Sequence, residues 1–212
     1  MSGNRQEMPL AEALSVLRAA RGETDVIVTS MGSAREWMAL GNLHPLDFVF
    51  VPSSMGQAPS LGLGLALARP DLRVVALNGD GSMLMNLGAL VTITAERPAN
   101  LVIIVCDNGV YEVTGAQPTP GAPAGRAKGD RADFVALARA SGFESVFRFS
   151  DLAAWRAGVR GVLTAAGPAF VLLDVAPVPG AKGPRSPGPT EERARRFRGA
   201  LGAGEGAPRS ER

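Results

Sequence analysis

The sequence predicts a doubly wound α/β fold, a mostly parallel sheet of about six strands flanked by helices. Two observations carry this expectation. Six apolar, β-branched runs are near-continuously hydrophobic, as strands buried on both faces of a parallel sheet must be. Helical patterns alternate with them over most of the chain, the order that builds βαβ units.

Taken in order, Leu10, Leu14 and Leu17 fall on one face of a first helix. The first two strands are expected at Asp25–Thr29 and Phe48–Val51, and the third at Arg73–Asn78. Met83, Leu84, Leu87, Leu90 and Val91 then form one helical stripe, predicting a single helix from Ser82 to just before Pro98. A fourth strand follows at Leu101–Cys106. Pro118–Gly129 is too rich in Gly and Pro for regular structure, and long loops in compact domains are often functional. Helices at Asp130–Ser141 and Asp151–Ala165 each open on an Asp that can cap them. The last strands are expected at Ser145–Phe149 and Ala169–Val175.

These elements make one domain over residues 1–179, which suits a chain of 212 residues. Residues 180–212 read as a Pro/Gly/Arg-rich tail, with a short surface helix at Glu191–Leu201 and disorder in the last ten residues. Eight of the 22 Lys and Arg but only four of the 20 Asp and Glu lie from Ala181 onward. The basic character therefore belongs to the tail and not to a face of the domain, which argues against nucleic-acid binding. A single cysteine, Cys106, excludes a disulfide framework, a cysteine-only zinc site and a cysteine-ligated cluster. No apolar run reaches about 18 residues and no signal-peptide pattern opens the chain, so the expected location is cytoplasmic, away from membranes.

The chemistry concentrates at two turns. Asn78–Ser82 reads N-G-D-G-S at the carboxyl end of a strand and before a helix, where ligands of open α/β sheets collect. Gly79 and Gly81 allow a sharp turn and a close approach of phosphate, and the helix start supplies amide donors. Asp80 would repel a bare diphosphate, so its presence there calls for a hard cation between them. Taken alone, the turn also reads as an ordinary Asp cap. Twenty-five residues separate Gly81 from a second turn, Asp107-Asn108-Gly109-Val110-Tyr111, at the end of the next strand and on the same sheet edge. Asn108 offers an amide oxygen and Val110 a backbone carbonyl. With Asp80, two diphosphate oxygens and a water, they complete the six oxygens that Mg²⁺ prefers.

This pairing of turns resembles the thiamine diphosphate (ThDP) binding motif, in which Gly-Asp-Gly is followed at about this spacing by Asn-Asn. Ser54–Ala58, Leu63–Asp71, Met85–Ile93 and Gly115–Thr119 extend the resemblance to the β-type subunits of sulfopyruvate and phosphonopyruvate decarboxylases, over roughly Asp25 to Val175. The resemblance implies Mg²⁺ ligation by Asp80, Asn108 and the Val110 carbonyl. Diphosphate would be held by Gly79, Gly81 and Ser82, and by Gly32 and Ser33 after the first strand. Ser53 and Tyr111 join this cofactor set, and Met55 would prop the cofactor into its bent shape, although core packing is the plainer reading of a methionine. It also implies that an activating glutamate comes from a partner, a pyrimidine-binding α-type subunit, in a hetero-oligomer built on a dimer of dimers. The expected activity is decarboxylation of a 2-oxo acid.

Three departures fall near the expected substrate position. Gln57 replaces the family's usual His, Asp107 replaces the first Asn, and Tyr111-Glu112 replace His-Asp. Gln57, Tyr111 and Glu112 are therefore the catalytic candidates of this chain. A carboligase, an oxo-acid dehydrogenase component and a non-catalytic ThDP-binding regulatory subunit are the alternative functions. Arg35 and Glu36 read as an exposed ion pair or, for Arg35, as a substrate-anion contact. His44 in a loop and Cys106 at a strand end read as structural.

Overall fold

In the computed structural model, residues 7–51, 55–120 and 132–202 are described. The elements run β1 (Met8–Pro9), α1 (Leu10–Ala20), β2 (Val26–Ser30), α2 (Met31–Ala39), β3 (Asp47–Phe50), α3 (Ala58–Ala68), β4 (Val74–Gly79), α4 (Asp80–Leu84) and α5 (Gly88–Glu96). They continue with β5 (Leu101–Asp107), β6 (Val110–Tyr111), a 3₁₀ turn (Glu112–Thr114), β7 (Gln117–Pro118), α6 (Phe134–Ala140), β8 (Ser145–Phe149), α7 (Leu152–Leu163), β9 (Ala169–Ala176) and α8 (Thr190–Gly202).

The main sheet runs β1-β9-β5-β4-β2-β3, with β8 also paired to β9, and every pairing in it is parallel. All six expected strands are present, each within a residue of its predicted bounds. Alternate residues of each strand serve opposite layers. Val74 and Ala76 of β4 pack with Ala58, Leu63 and Ala66 of α3, Leu90 and Ile93 of α5, and Phe134 of α6. Val75 and Leu77 face Leu14 and Leu17 of α1, Trp37 of α2, and Trp155 and Val159 of α7. Burial on both faces explains why these strands read as unbroken apolar runs. The strand order reverses between β2 and β4, and a crevice opens at the carboxyl ends of strands at such a switch point.

Three elements differ from expectation. The single helix predicted from Ser82 is two, broken over Met85–Leu87. Asn86 Nδ2 there donates to the Gly56 carbonyl at 2.9 Å, a long-range bond that no local pattern announces. Val91 of the predicted stripe is 58% exposed. The cap of α6 is Asp133, whose side chain accepts from Ala136 N, so the helix starts later than Asp130. Asp151 caps α7 as expected. The predicted surface helix is α8, but its Phe197 is only 7% exposed and stacks at 4.9 Å between ring centroids on Phe48 of β3. Arg193 also donates to the carbonyls of Val49, at 2.5 Å, and Val51. Among the described residues no helix is long and apolar enough to cross a membrane. Most of the Pro118–Gly129 loop and the last ten residues lie outside the described residues.

Candidate functional site

The loops after β2, β4 and β5 surround a cleft with about 590 Å³ of empty space, part of it open to solvent. Ten of the eleven residues expected to hold a cofactor line it: Gly32, Ser33, Met55, Gly79, Asp80, Gly81, Ser82, Asn108, Val110 and Tyr111. Ser53 lies outside the described residues. Of the catalytic candidates, Tyr111 and Glu112 line the cleft, whereas Gln57 is exposed at the start of α3 and is not in the lining.

Each loop is shaped by contacts the sequence did not reveal. A Cβ added at Gly81 would stand 2.4 Å from Tyr111 Cε1, so Gly81 is required by the tyrosine ring that covers it. A Cβ at Gly79 would meet nothing within 4 Å, which leaves the backbone on that side open to a ligand. Gly56 has φ +85°, and a Cβ there would lie 2.8 Å from Asn86 Cβ. The turn carrying Met55 is therefore tied to the segment after α4. Where β2 runs into α2, Ser33 Oγ donates to the Ser30 carbonyl at 2.7 Å. Its hydroxyl proton is committed, so the amides of the first turn of α2 are the donors this junction has for an anion. Met31 begins that turn at φ +50°, a left-handed conformation uncommon outside glycine.

Asp80 is the buried acid of the cleft, 2% exposed. Thr119 Oγ1 donates to its Oδ2 at 3.0 Å, and among the described residues Asp80 forms no ion pair. Burial, reinforced by the nearby charge of Asp107, pushes its carboxyl up to about 6, while the Thr119 hydroxyl pulls the other way. Thr119 is itself buried, and its N–H donates to the Gly109 carbonyl at 2.9 Å, which closes the β6–β7 ribbon over the acid. Its position in the sequence, outside both turns, gave no sign of this role.

Glu112 is engaged through both oxygens. Its Oε2 accepts from Arg35 Nη2 at 3.0 Å, and its Oε1 accepts from Asn108 Nδ2 and Val178 N at 2.8 Å each. Arg35 also bonds Glu36 at 2.8 Å, so its charge is shared by two carboxylates. The expected Arg35–Glu36 ion pair forms, but it is part-buried and not exposed, and Arg35 is also matched by Glu112. Burial and the surrounding acids raise the Cys106 thiol to about 12, and it stays protonated in the cleft floor. His44 lies beside Arg21, far from the cleft in the chain's fold and outside its lining. No cluster of three or more His, Cys, Asp or Glu stands ready for a metal among the described residues. The residues brought to the cleft offer instead one carboxylate, one amide and one backbone carbonyl, oxygen donors of the kind that could hold a hard cation.

Residues 30–173 match the family model described as thiamine pyrophosphate enzyme, C-terminal TPP binding domain; thiamine pyrophosphate is another name for ThDP. The chain is 39% identical over 156 residues to the sulfopyruvate decarboxylase subunit beta of Methanothermobacter thermautotrophicus, covering 73% of this chain and 76% of that one. It is 35% identical over 173 residues to the phosphonopyruvate decarboxylase of Streptomyces hygroscopicus, covering 82% of this chain but only 40% of that longer protein. A thiamine diphosphate-dependent 4-hydroxybenzoylformate decarboxylase of Rhodococcus jostii shares the fold, with a TM-score of 0.67 at 22% identity over 83% of this chain and 34% of that one. The strand order, the cleft at the switch point and the matched span agree, and the chain belongs to the family of the thiamine pyrophosphate enzyme C-terminal TPP-binding domain.

Proposed function

We propose that this chain is the ThDP- and Mg²⁺-binding subunit of a two-chain 2-oxo acid decarboxylase, of the sulfopyruvate or phosphonopyruvate decarboxylase kind. The observation that carries the reading is the buried, cation-poor Asp80 set beside Asn108 and Val110 at the strand switch point. An acid with no ion pair among the described residues and faced by Asp107 carries an excess of negative charge that a divalent cation would relieve. Asp80, Asn108 and the Val110 carbonyl would hold the Mg²⁺. Gly79, Gly81, Ser82 and the start of α2 would receive the diphosphate through backbone amides. Met55 would support the bent cofactor, and Tyr111, over Gly81, would exclude water from the diphosphate end. When bound, ThDP supplies the electron sink that lets the carboxylate of a 2-oxo acid leave as carbon dioxide.

The partner is an α-type, pyrimidine-binding chain that contributes the activating glutamate. The β-subunit names of the relatives support it. So does the engagement of Glu112, which leaves this acid committed to Arg35, Asn108 and Val178. The domain is proposed to run to residue 179, with α8 strapped over β3 by the segment that follows. Decarboxylation assayed with this chain alone, then with its partner, tests the proposal. Activity is expected only in the mixture, with free aldehyde as the product. A full rate from this chain alone would refute the two-chain arrangement, and a coupled hydroxyketone would indicate a carboligase.

A further inference from the structure

We propose that Glu112 is a positioning residue that fixes which end of the Asn108 amide faces the cleft. The inference rests on the reading of Asn108 as a cation ligand and adds to it the device that makes it one. An asparagine presents an oxygen at one end and an NH₂ at the other, and a rotation by half a turn about its last side-chain bond exchanges them. Only the oxygen end can bind a cation. The NH₂ end, with its partial positive charge, would repel one.

Two neighbours settle the choice, and neither can play the opposite part. Val110 N–H can only donate, and it donates to Asn108 Oδ1 at 3.0 Å. An ionised Glu112 can only accept, and its Oε1 accepts from Asn108 Nδ2 at 2.8 Å. The flipped amide would set NH₂ against N–H on one side and oxygen against carboxylate on the other. The bond from Val110 takes one lone pair of Oδ1 and leaves the second for a cation.

Glu112 is itself held in place for this task. Its side chain is 5% exposed, Arg35 Nη2 neutralises its far oxygen at 3.0 Å, and Val178 N–H donates to the near one at 2.8 Å. The arrangement joins α2, the β5–β6 turn and the segment after β9 through one carboxylate. Outer-shell partners of this kind commonly tune metal affinity by about 10- to 100-fold.

The test is Mg²⁺-dependent binding of ThDP to the full chain, followed by titration calorimetry, in a cycle built on Asp in place of Asn108. A carboxylate has no wrong end, so it has no need of Glu112. Glu112→Ala is expected to weaken binding by about 10- to 100-fold. Adding Asn108→Asp to that variant is expected to recover most of the loss, whereas Asn108→Asp beside an intact Glu112 sets two carboxylates together and brings no gain. Glu112→Met, close in volume and without an acceptor at that point, replaces the alanine variant if thermal unfolding shows it does not fold. Unchanged binding in the Glu112 variants would overturn the proposal. Two other results would do the same: failure of Asn108→Asp to rescue, which would make Glu112 a structural tether only, and equal gains with and without Glu112, which would reduce the rescue to charge. Unchanged binding in Asn108→Ala would instead remove the underlying reading of Asn108 as a ligand.

Discussion

Asp25 and Asp47 at one edge of the sheet and Asp80 at the other are similar acids held in opposite ways. At the amino ends of the strands, Asp25 is 1% exposed and takes a fork of bonds from Arg73, each 3.0 Å, with a third from Gly22 N at 2.8 Å. Asp47 is paired with Arg21 and accepts from Trp37 Nε1 at 3.0 Å and His44 N at 2.9 Å. At the carboxyl ends, Asp80 is equally buried but has a threonine hydroxyl and no ion pair among the described residues. Desolvating a carboxylate is costly unless it is paired. At Asp25 and Asp47 the chain meets that cost itself, as it does with Arg148 at Asp174, whereas at Asp80 it leaves the cost for something else to meet. Burial alone does not mark a site, whereas a buried acid without an ion-pair partner points to one.

Removing an acid from each edge should therefore change stability in opposite directions. Asp25→Ala strands the Arg73 guanidinium against Leu163 and is expected to destabilise the chain by about 3–5 kcal/mol in denaturant unfolding. Asp80→Asn, in the absence of metal and cofactor at pH 7, is expected to stabilise it by roughly 1–3 kcal/mol. Destabilisation by both would erase the distinction between the edges.

The pH dependence sharpens the same contrast. Asp80 stands at about 6 in the fold against an ordinary 3.8, so between those values the folded state binds more protons than the unfolded one. Its contribution to stability is thus fully present below about 3.8 and is lost as pH rises through about 6, by a total of about 3 kcal/mol. Denaturant midpoints of wild type minus Asp80→Asn, measured from pH 4 to 7, isolate this slope. A flat difference would contradict the burial argument.

How much of this could be read from the chain alone follows the range of the interactions. The six strands were legible because double-sided burial writes itself as continuous Val, Ile and Leu. The cleft was legible because Gly-Asp-Gly-Ser and Asp-Asn-Gly sit at the ends of neighbouring strands, where topology brings them together. The break at Met85–Leu87 was not, since the apolar period runs through it and its cause is Gly56, thirty residues away. Thr119 on Asp80 and Arg193 on β3 are likewise long-range hydrogen bonds, which leave no periodicity behind. Phe197 was hidden by the Arg-rich composition around it.

A smaller effect is expected at Met55, which lines the cleft. Met55→Ala should lower turnover of the assembled enzyme by about tenfold, equivalent to about 1.4 kcal/mol, and change ThDP affinity little. Steady-state rates beside calorimetric affinities separate the two, and an equal loss in both would assign Met55 to anchoring.

Asp80, with no ion pair among the described residues, is proposed to receive a divalent cation carrying ThDP. Titration calorimetry of ThDP into wild type and Asp80→Ala, each with and without Mg²⁺, tests it most directly. Wild type is expected to bind ThDP only with Mg²⁺, and the folded Asp80→Ala variant is expected not to bind under either condition. Equal ThDP affinity in the folded variant and the wild type, or wild-type affinity indifferent to Mg²⁺, would contradict the account.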